Sequence, residues 1–305
     1  MHDVIIIGAG PAGYTAGIYC ARARHDTLLI SGILPGGQLM NTTDVENYPG
    51  FSDGIMGPDL MTVMRKQTEK MGTKIIDDEV TSVDFKNNPL KVKTASEEFE
   101  ARAVIVCTGA NPRKIGLDGE QTFAGKGVSY CATCDGAFFR DQELIVVGGG
   151  DSAMEEAIFL TKFASVVHIV HRKGEFRASK IMQERALSNE KIKIHFNSTV
   201  KEIHGDQKFQ QVVLNNTKTN EDKILEAGGL FIAIGHEPNS TIFQDQIELD
   251  ENGYIIIKNN TETSVTGVFC AGDVHDHRYR QAVTAAGFGC MAAIDVDKYL
   301  SESDT

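Results

Sequence analysis

The sequence predicts an α/β protein made of two dinucleotide-type βαβ folds, the second inserted in the first. Three observations carry this reading. A buried strand running into a glycine-rich turn occurs twice, Val4-Ile5-Ile6-Ile7 before Gly8-Ala9-Gly10-Pro11-Ala12-Gly13, and Leu144-Ile145-Val146-Val147 before Gly148-Gly149-Gly150-Asp151-Ser152-Ala153. Each is answered by a later strand that leaves through glycine and proline: residues 103–109 with Pro112, and residues 229–235 with Pro238. Beyond residue 240 there is one more buried strand, 267–274, and a small-residue helix over 281–300, but no third fingerprint. That tail therefore completes the first fold. The expected segments are 1–112 and 241–305 for the first domain and 113–240 for the insert, with the crossings near 111–115 and 238–244 as hinges.

In chain order, residues 3–13 give a strand and the G-x-G-x-x-G turn. Gly8 permits the tight turn, Gly10 lets backbone N–H groups approach a pyrophosphate, and Gly13 lets the next helix pack on the strand. Pro11 and Ala12 open that helix, whose N-terminus carries partial positive charge. Thr27–Ile30 is the second strand. The acid usual at its end is absent; Ser31 and Gly32 stand there, so a ribose in this half must be held by other groups. Residues 31–58, rich in Gly, Pro, Asn and Thr, read as a functional loop. Helical spacing returns over 57–71, and residues 74–100 alternate as short strands around a turn at Asn87-Asn88-Pro89.

In the second half, the glycine turn is followed by a helix carrying Met154, Ala157, Ile158 and Leu160, then by the strand Val166–Val170. Residues 190–226 read as strands with a polar turn around Asn215-Asn216. The second strand leads into His171-Arg172-Lys173, with Arg177 just beyond. An acid at this point would bond a ribose 2′-hydroxyl and favour NAD. Cations without an acid favour a 2′-phosphate, hence NADP.

Composition sets outer limits. The 305 residues suit two domains, and 41% hydrophobic with 24% charged residues is ordinary for a globular protein. The net charge of −12 argues against nucleic acid or an anionic membrane surface as a main partner, though it leaves room for a local basic pocket. No apolar run has the length of a membrane span. Val4–Ile7 is too short for a signal-peptide core and has no basic region before it, so the expected compartment is the cytosol.

Between the two glycine turns lies Cys131-Ala132-Thr133-Cys134-Asp135. A zinc site would need a second pair of ligands; only His275-Asp276-His277 offers one, and it falls in the other domain. A structural disulfide across so short a loop would add little stability and would be reduced in the cytosol. A redox dithiol is the remaining reading. Asp135 suits it, because a carboxyl beside a thiolate–disulfide pair can act as general acid, although an Asp before Gly136 also suits a plain turn. Cys20, Cys107, Cys270 and Cys290 read as small buried residues.

Taken together and in this order, Gly-Ala-Gly-Pro-Ala-Gly (8–13), Gly-Gly-Gln-Leu (36–39), Val-Glu-Asn-Tyr-Pro-Gly (45–50), Cys-Ala-Thr-Cys-Asp (131–135), Gly-Gly-Gly-Asp-Ser-Ala (148–153), Ile-Gly-His-Glu-Pro-Asn (234–239), Gly-Asp-Val (272–274) and Tyr-Arg-Gln-Ala (279–282) resemble the low-molecular-weight, bacterial-type thioredoxin reductases over essentially the whole chain. The resemblance implies two Rossmann-like, three-layer ββα domains. It implies FAD in the first, at the glycine loop, Ser31, Gly32, Gly37, Gln38, Asn47, Asp273, Arg280, Gln281 and Ala282. NADPH is implied in the insert, at Gly148, Gly150, Ser152, Ala153, His171, Arg172, Lys173, Arg177 and Gly235. Cys134 would lie against the flavin, Cys131 would attack the partner's disulfide, and Asp135 would supply the proton. A homodimer is implied, with thioredoxin or a thioredoxin-like protein as partner. The family usually has a second Arg where Lys173 stands; Lys keeps the charge but loses the planar fork. Other expectations open to such a chain are reduction of another protein or low-molecular-weight disulfide, a flavin-dependent dithiol oxidase, and a redox sensor.

Overall fold

A computed structural model describes residues 1–33 and 35–303. They divide into two units, residues 1–111 with those from 237 onward, and residues 112–236. The first unit opens with β1 (His2–Ile7), α1 (Pro11–Arg22), β2 (Thr27–Ile30), β3 (Asp44–Val45), β4 (Ile55–Met56), α2 (Gly57–Met71), β5 (Lys74–Ile76), β6 (Val80–Asp84), β7 (Leu90–Thr94) and β8 (Glu98–Val106). The chain leaves through β9 (Ala110–Pro112). The second unit holds α3 (Asp118–Thr122), β10 (Val128–Ser129), α4 (Ala132–Asp135), β11 (Glu143–Val147), α5 (Asp151–Leu160), β12 (Val166–Val170), α6 (Lys180–Leu187), β13 (Ile192–His195), β14 (Ser198–Gly205), β15 (Phe209–Asn216), β16 (Asp222–Glu226) and β17 (Gly229–Ile232). The return runs through β18 (His236–Pro238), and β19 (Val268–Cys270) with α7 (Ala282–Ser303) completes the first unit.

The two units repeat one sheet. In the first, β5, β2, β1 and β8 run parallel in that order, and β19 adds beyond β8. In the second, β13, β12, β11, β17 and β10 repeat the same parallel order. The fifth strand is supplied from opposite ends of the sequence, by β19 near the C-terminus and by β10 ahead of the second glycine turn. The insertion falls between β8 and β19, so the first sheet is complete only after the chain has returned. β8 also makes two ladders on one edge within this mixed seven-stranded sheet: its first residues pair antiparallel with β7 and its last pair parallel with β19. In the second unit this task is split between β16 and β17, with β14, β15 and β16 forming a separate antiparallel sheet.

The continuous apolar runs follow from cover on both faces. Val4 and Ile6 pack with Ala12, Ala16, Ala292 and Val296 on one side of the first sheet, while Ile5 and Ile7 pack with Leu28, Phe243 and Ile255 on the other. Leu144 and Val146 face Met154 and Leu160, whereas Ile145 faces Val212 and Leu230. Burial of each of the Val, Leu, Ile, Phe and Met side chains among them stabilises by about 1.5–3 kcal/mol. α2 buries Leu60, Met61, Met64 and Thr68, exposes Val63, and stops at Gly72 in the left-handed conformation. The Thr68 hydroxyl donates to the Met64 and Tyr14 carbonyls at 2.8 and 3.0 Å, tying α2 to α1.

Two local expectations change. The 31–58 loop contains a 3₁₀ turn over Gly37–Asn41 and the small β3–β4 ladder. The polar turn begins after Asn216, not around it: β15 runs through Asn216, whose side-chain oxygen accepts the N–H groups of Lys218 and Thr219 and so caps the turn from the strand end. Among the described residues no helix is long and apolar enough to cross a membrane.

Candidate functional site

At the end of β1 the backbone is crowded on one side and bare on the other. Gly8 has φ of +110°, and a Cβ there would lie 2.3 Å from the Cys107 carbonyl oxygen. A Cβ on Gly13 would lie 1.9 Å from Gly8 O. Only glycine brings α1 this close to the strand end. On the open side, a Cβ on Gly10 would meet nothing within 4 Å. The loop after β2 folds back toward it: Gly36 N–H donates to Ala9 O at 3.1 Å, and Gly37 lies against the Gly10 Cα. Gly10, Gly37 and the N-terminus of α1 make a cradle of bare backbone suited to a pyrophosphate.

The acid missing after β2 is supplied from the end of β5. Ser31, buried, donates its hydroxyl to Asp77 Oδ1 at 2.8 Å. Arg65 grips both Asp77 oxygens at 2.8 and 3.0 Å and holds that carboxyl below its usual range. Gly32 N–H is taken by Asp78 O. This Arg65–Asp77–Ser31 group was not legible in the sequence because its members lie 12 and 46 residues apart.

The tail returns to the same strand end. A Cβ on Gly272 would sit 3.1 Å from Ala12 Cβ, which sets the neighbouring Asp273 beside the glycine loop. Among the described residues Asp273 Oδ1 is buried without a hydrogen-bond partner, and burial, reinforced by Asp276, pushes this carboxyl up to about 7. Asp276 organises the turn ahead of α7, accepting the N–H groups of Arg278, Tyr279 and Arg280, the last with φ of +48°. Gln281 reaches the Asn47 amide at 3.3 Å, just before α7 starts at Ala282. Gln38 turns elsewhere, donating to Asn111, whose own amide donates to Asn239. The His275 ring packs edge-on against Phe288, and burial lowers it to about 4.

The second unit repeats the crowding. A Cβ on Gly148 would lie 2.4 Å from Ala233 O and 2.6 Å from the Ala153 Cβ, while Gly150 is open at the N-terminus of α5. Ser152 lies in that first turn. Gly149 is closed by the His171 ring, which a Cβ would strike at 2.2 Å. His171 is buried and donates Nε2–H to Glu175 O, and burial lowers its proton affinity. It is therefore a neutral wall of the loop and adds no charge to the basic run after it. The cations are Arg172, Lys173 and Arg177, all exposed, with Arg177 fixed through its N–H to Gly149 O at 2.8 Å. Gly235 follows two residues after Ala233, its carbonyl accepting Arg113 N–H near the crossing.

Cys131 and Cys134 form a disulfide with Cα atoms 5.3 Å apart. Cys131 caps the short helix α4, its sulfur accepting Cys134 N–H at 3.2 Å. Cys134 is exposed and Cys131 half-buried. The Asp135 carboxyl accepts the Ser129 hydroxyl at 2.6 Å, and burial raises its proton affinity. Ser129 also accepts Cys131 N–H at 3.0 Å. Behind the pair, the buried Glu120 accepts the N–H groups of Ile115 and Gly116 and the Tyr130 hydroxyl, joining the start of the unit to the residue before Cys131. Reading the sequence did not single out Ser129 or Glu120; a small polar residue two before the first cysteine was the only local sign. Among the described residues no group of three or more His, Cys, Asp or Glu is placed to hold a metal.

Two glycine-loop folds and a partly exposed cystine define a dinucleotide-linked redox protein. Residues 2–289 match the family model for pyridine nucleotide-disulphide oxidoreductases, and the chain belongs to that family. A thioredoxin reductase of Streptomyces clavuligerus is 54% identical over 99% of this chain and 94% of its own length. One from Mycolicibacterium smegmatis is 52% identical over 100% and 98%. Among solved structures, a thioredoxin reductase from Streptococcus pyogenes superposes with a TM-score of 0.95 at 44% identity, covering 99% of both chains. One from Giardia duodenalis does so with 0.95 at 43%, covering 98% and 99%.

Asp273 yields a prediction with a definite sign. Its native proton affinity is raised above that of the unfolded chain, so the folded state binds more protons between about pH 4 and 7, and stability falls as pH rises through that window. In the flavin-free protein, Asp273→Asn therefore gains stability relative to the parent as pH rises from about 4 to about 7. Urea unfolding at several pH values measures this; a difference independent of pH contradicts the assignment.

Proposed function

We infer that this chain transfers electrons from NADPH, through FAD, to the disulfide of thioredoxin. The observation that carries the reading is a cystine with an adjacent half-buried carboxyl in a chain with two dinucleotide folds, about half identical along its length to thioredoxin reductases. FAD, when bound, is the two-electron carrier between the nicotinamide and the cystine.

The first unit fits FAD. Gly8 to Gly13 and Gly37 offer bare backbone to the pyrophosphate, and the Ser31–Asp77–Arg65 group offers an anchored acceptor for a ribose. Asp273 offers a buried oxygen in need of a donor. Asn47, Gln38, Arg280, Gln281 and Ala282 complete the proposed set. The second unit fits NADPH, with Gly148, Gly150, Ser152 and Ala153 at the phosphates, His171 as a packed wall, and Arg172, Lys173 and Arg177 near a 2′-phosphate. Gly235 belongs here as a turn residue of that unit.

The protein's own chemistry lies in three side chains. In the reduced pair, the Cys131 thiolate attacks a sulfur of thioredoxin's disulfide, and Cys134 resolves the mixed disulfide. The cystine is restored as thioredoxin becomes a dithiol. Asp135 holds a proton at its buried carboxyl and gives it to a cysteine thiolate of the pair.

The chain acts as a homodimer in the cytoplasm, without nucleic acid or membrane. Supporting the dimer is a run of exposed apolar side chains along α7, Val283, Met291 and Ile294, at helical spacings of eight and three residues. Sedimentation of the holoenzyme is expected to give twice the chain mass; a monomer at micromolar concentration contradicts this. The acidic balance and the thiol chemistry support the rest.

Cys134→Ser is expected to leave NADPH bleaching of the flavin intact and to reduce thioredoxin turnover to background. Full turnover by this variant would refute the role of the pair. kcat/KM for NADPH is expected to exceed that for NADH at least about tenfold, the worth of one charge-assisted hydrogen bond. Equal values would remove the 2′-phosphate from the assignment.

A further inference from the structure

We propose that Ser129 is a positioning residue for the dithiol, its hydroxyl holding the Asp135 carboxyl in one place whether that carboxyl is ionised or protonated. The proposal rests on the reading of Asp135 as proton donor and adds the group that makes repeated donation possible without rearrangement.

Ser129 ends β10 and is 5% exposed. Its oxygen lies 2.6 Å from Asp135 Oδ2, 3.0 Å from Cys131 N and 3.4 Å from Cys131 O. A hydroxyl has one hydrogen and two acceptor lone pairs. Cys131 N–H occupies one lone pair in every state. When Asp135 is ionised, the serine hydrogen points to Oδ2. When Asp135 is protonated, the acid O–H fills the second lone pair and the serine hydrogen turns to Cys131 O. Neither state strands a donor or an acceptor, which a site closed to water would penalise. The carboxyl need not rotate between the two.

The same hydroxyl fixes the acid relative to the nucleophile. Cys131 contributes its N–H and, in the protonated state, its carbonyl to Ser129, and that carbonyl also accepts Asp135 N–H at 3.1 Å. Asp135 gives its proton to a cysteine thiolate, leaving carboxylate and thiol, and regains one from water; no electrons move in this step. Burial and Ser129 are the two influences on the carboxyl, burial raising its proton affinity and the serine hydrogen bond lowering it. The titratable groups on the elements around it are Cys131 and Cys134 on α4, Tyr130 on the strand side, turned to Glu120, and Glu155 and Glu156 on α5, which packs on α4.

The test compares Ser129→Ala, Ser129→Thr and Asp135→Asn in the FAD-loaded enzyme, with NADPH and thioredoxin, across pH. Ser129→Ala is expected to lower kcat about tenfold with KM for thioredoxin unchanged, and to move the alkaline limb of kcat to higher pH, because the bond that favours the carboxylate is gone. Ser129→Thr, which keeps the hydroxyl, is expected to retain the wild-type limb. Asp135→Asn is expected to lower kcat about 100-fold and to abolish the limb. If Ser129→Ala fails to fold, Ser129→Cys, a weak donor of similar shape, is expected to give an intermediate limb. A Ser129→Ala or Ser129→Cys enzyme with wild-type kcat and limb, beside a slow Asp135→Asn, overturns the Ser129 role. An Asp135→Asn enzyme at wild-type rate overturns the reading of Asp135 instead.

Discussion

A close backbone approach at the first strand end of each unit governs what the rest of the unit can do. Gly8 leaves no room for a Cβ beside the Cys107 carbonyl, and Gly148 leaves none beside that of Ala233. Two parallel strands therefore end side by side at the point where the first helix begins. Any side chain would push the helix N-terminus off the strand ends, and with it the open glycine, Gly10 or Gly150, of each proposed phosphate site. The parallel sheet sets this arrangement: both its faces are covered, so the carboxyl ends of the strands are where polar groups can gather. Ser31, Asp77 and Asp273 gather there in the first unit, and the loop closed by His171 in the second.

The dithiol obeys a different constraint. It sits on a four-residue helix rather than at a strand end, and its surroundings are set by buried polar groups. Asp135 lies where burial makes ionisation costly, so it retains a proton that an exposed aspartate would lose. That condition suits an acid serving a thiolate. The site is held by groups from outside α4: Ser129 through Cys131 N–H and the Asp135 carboxyl, and Glu120 through Tyr130. A buried carboxylate with three donors is fully satisfied, so Glu120 can join the start of the unit to the cysteine strand without stranding a charge.

What was legible in the sequence was local. Both glycine turns, the strand Val166–Val170 and the helix Gly57–Met71 are contiguous patterns, and the fold returns them with those bounds. The cysteine pair was equally plain, being one turn long. The pairing of Asp77 with Arg65 and Ser31 was not legible, because parallel strands bring together residues separated by a whole βα unit. The burial of His171 escaped for a related reason: in sequence it heads a basic run, while in space its ring fills the gap left by Gly149. Asn216 is a residue type that suits a turn, yet its backbone still pairs in the strand and only its side chain serves the turn.

The central claim is that one chain carries two separate two-electron acceptors, a flavin and the Cys131–Cys134 cystine. Anaerobic titration of the FAD-loaded protein with dithionite, followed by flavin absorbance and by thiol counting, tests it most directly. The account predicts four electrons taken up per chain, with two thiols appearing that the oxidised protein lacks. Uptake of two electrons, all in the flavin and with no new thiols, would contradict it.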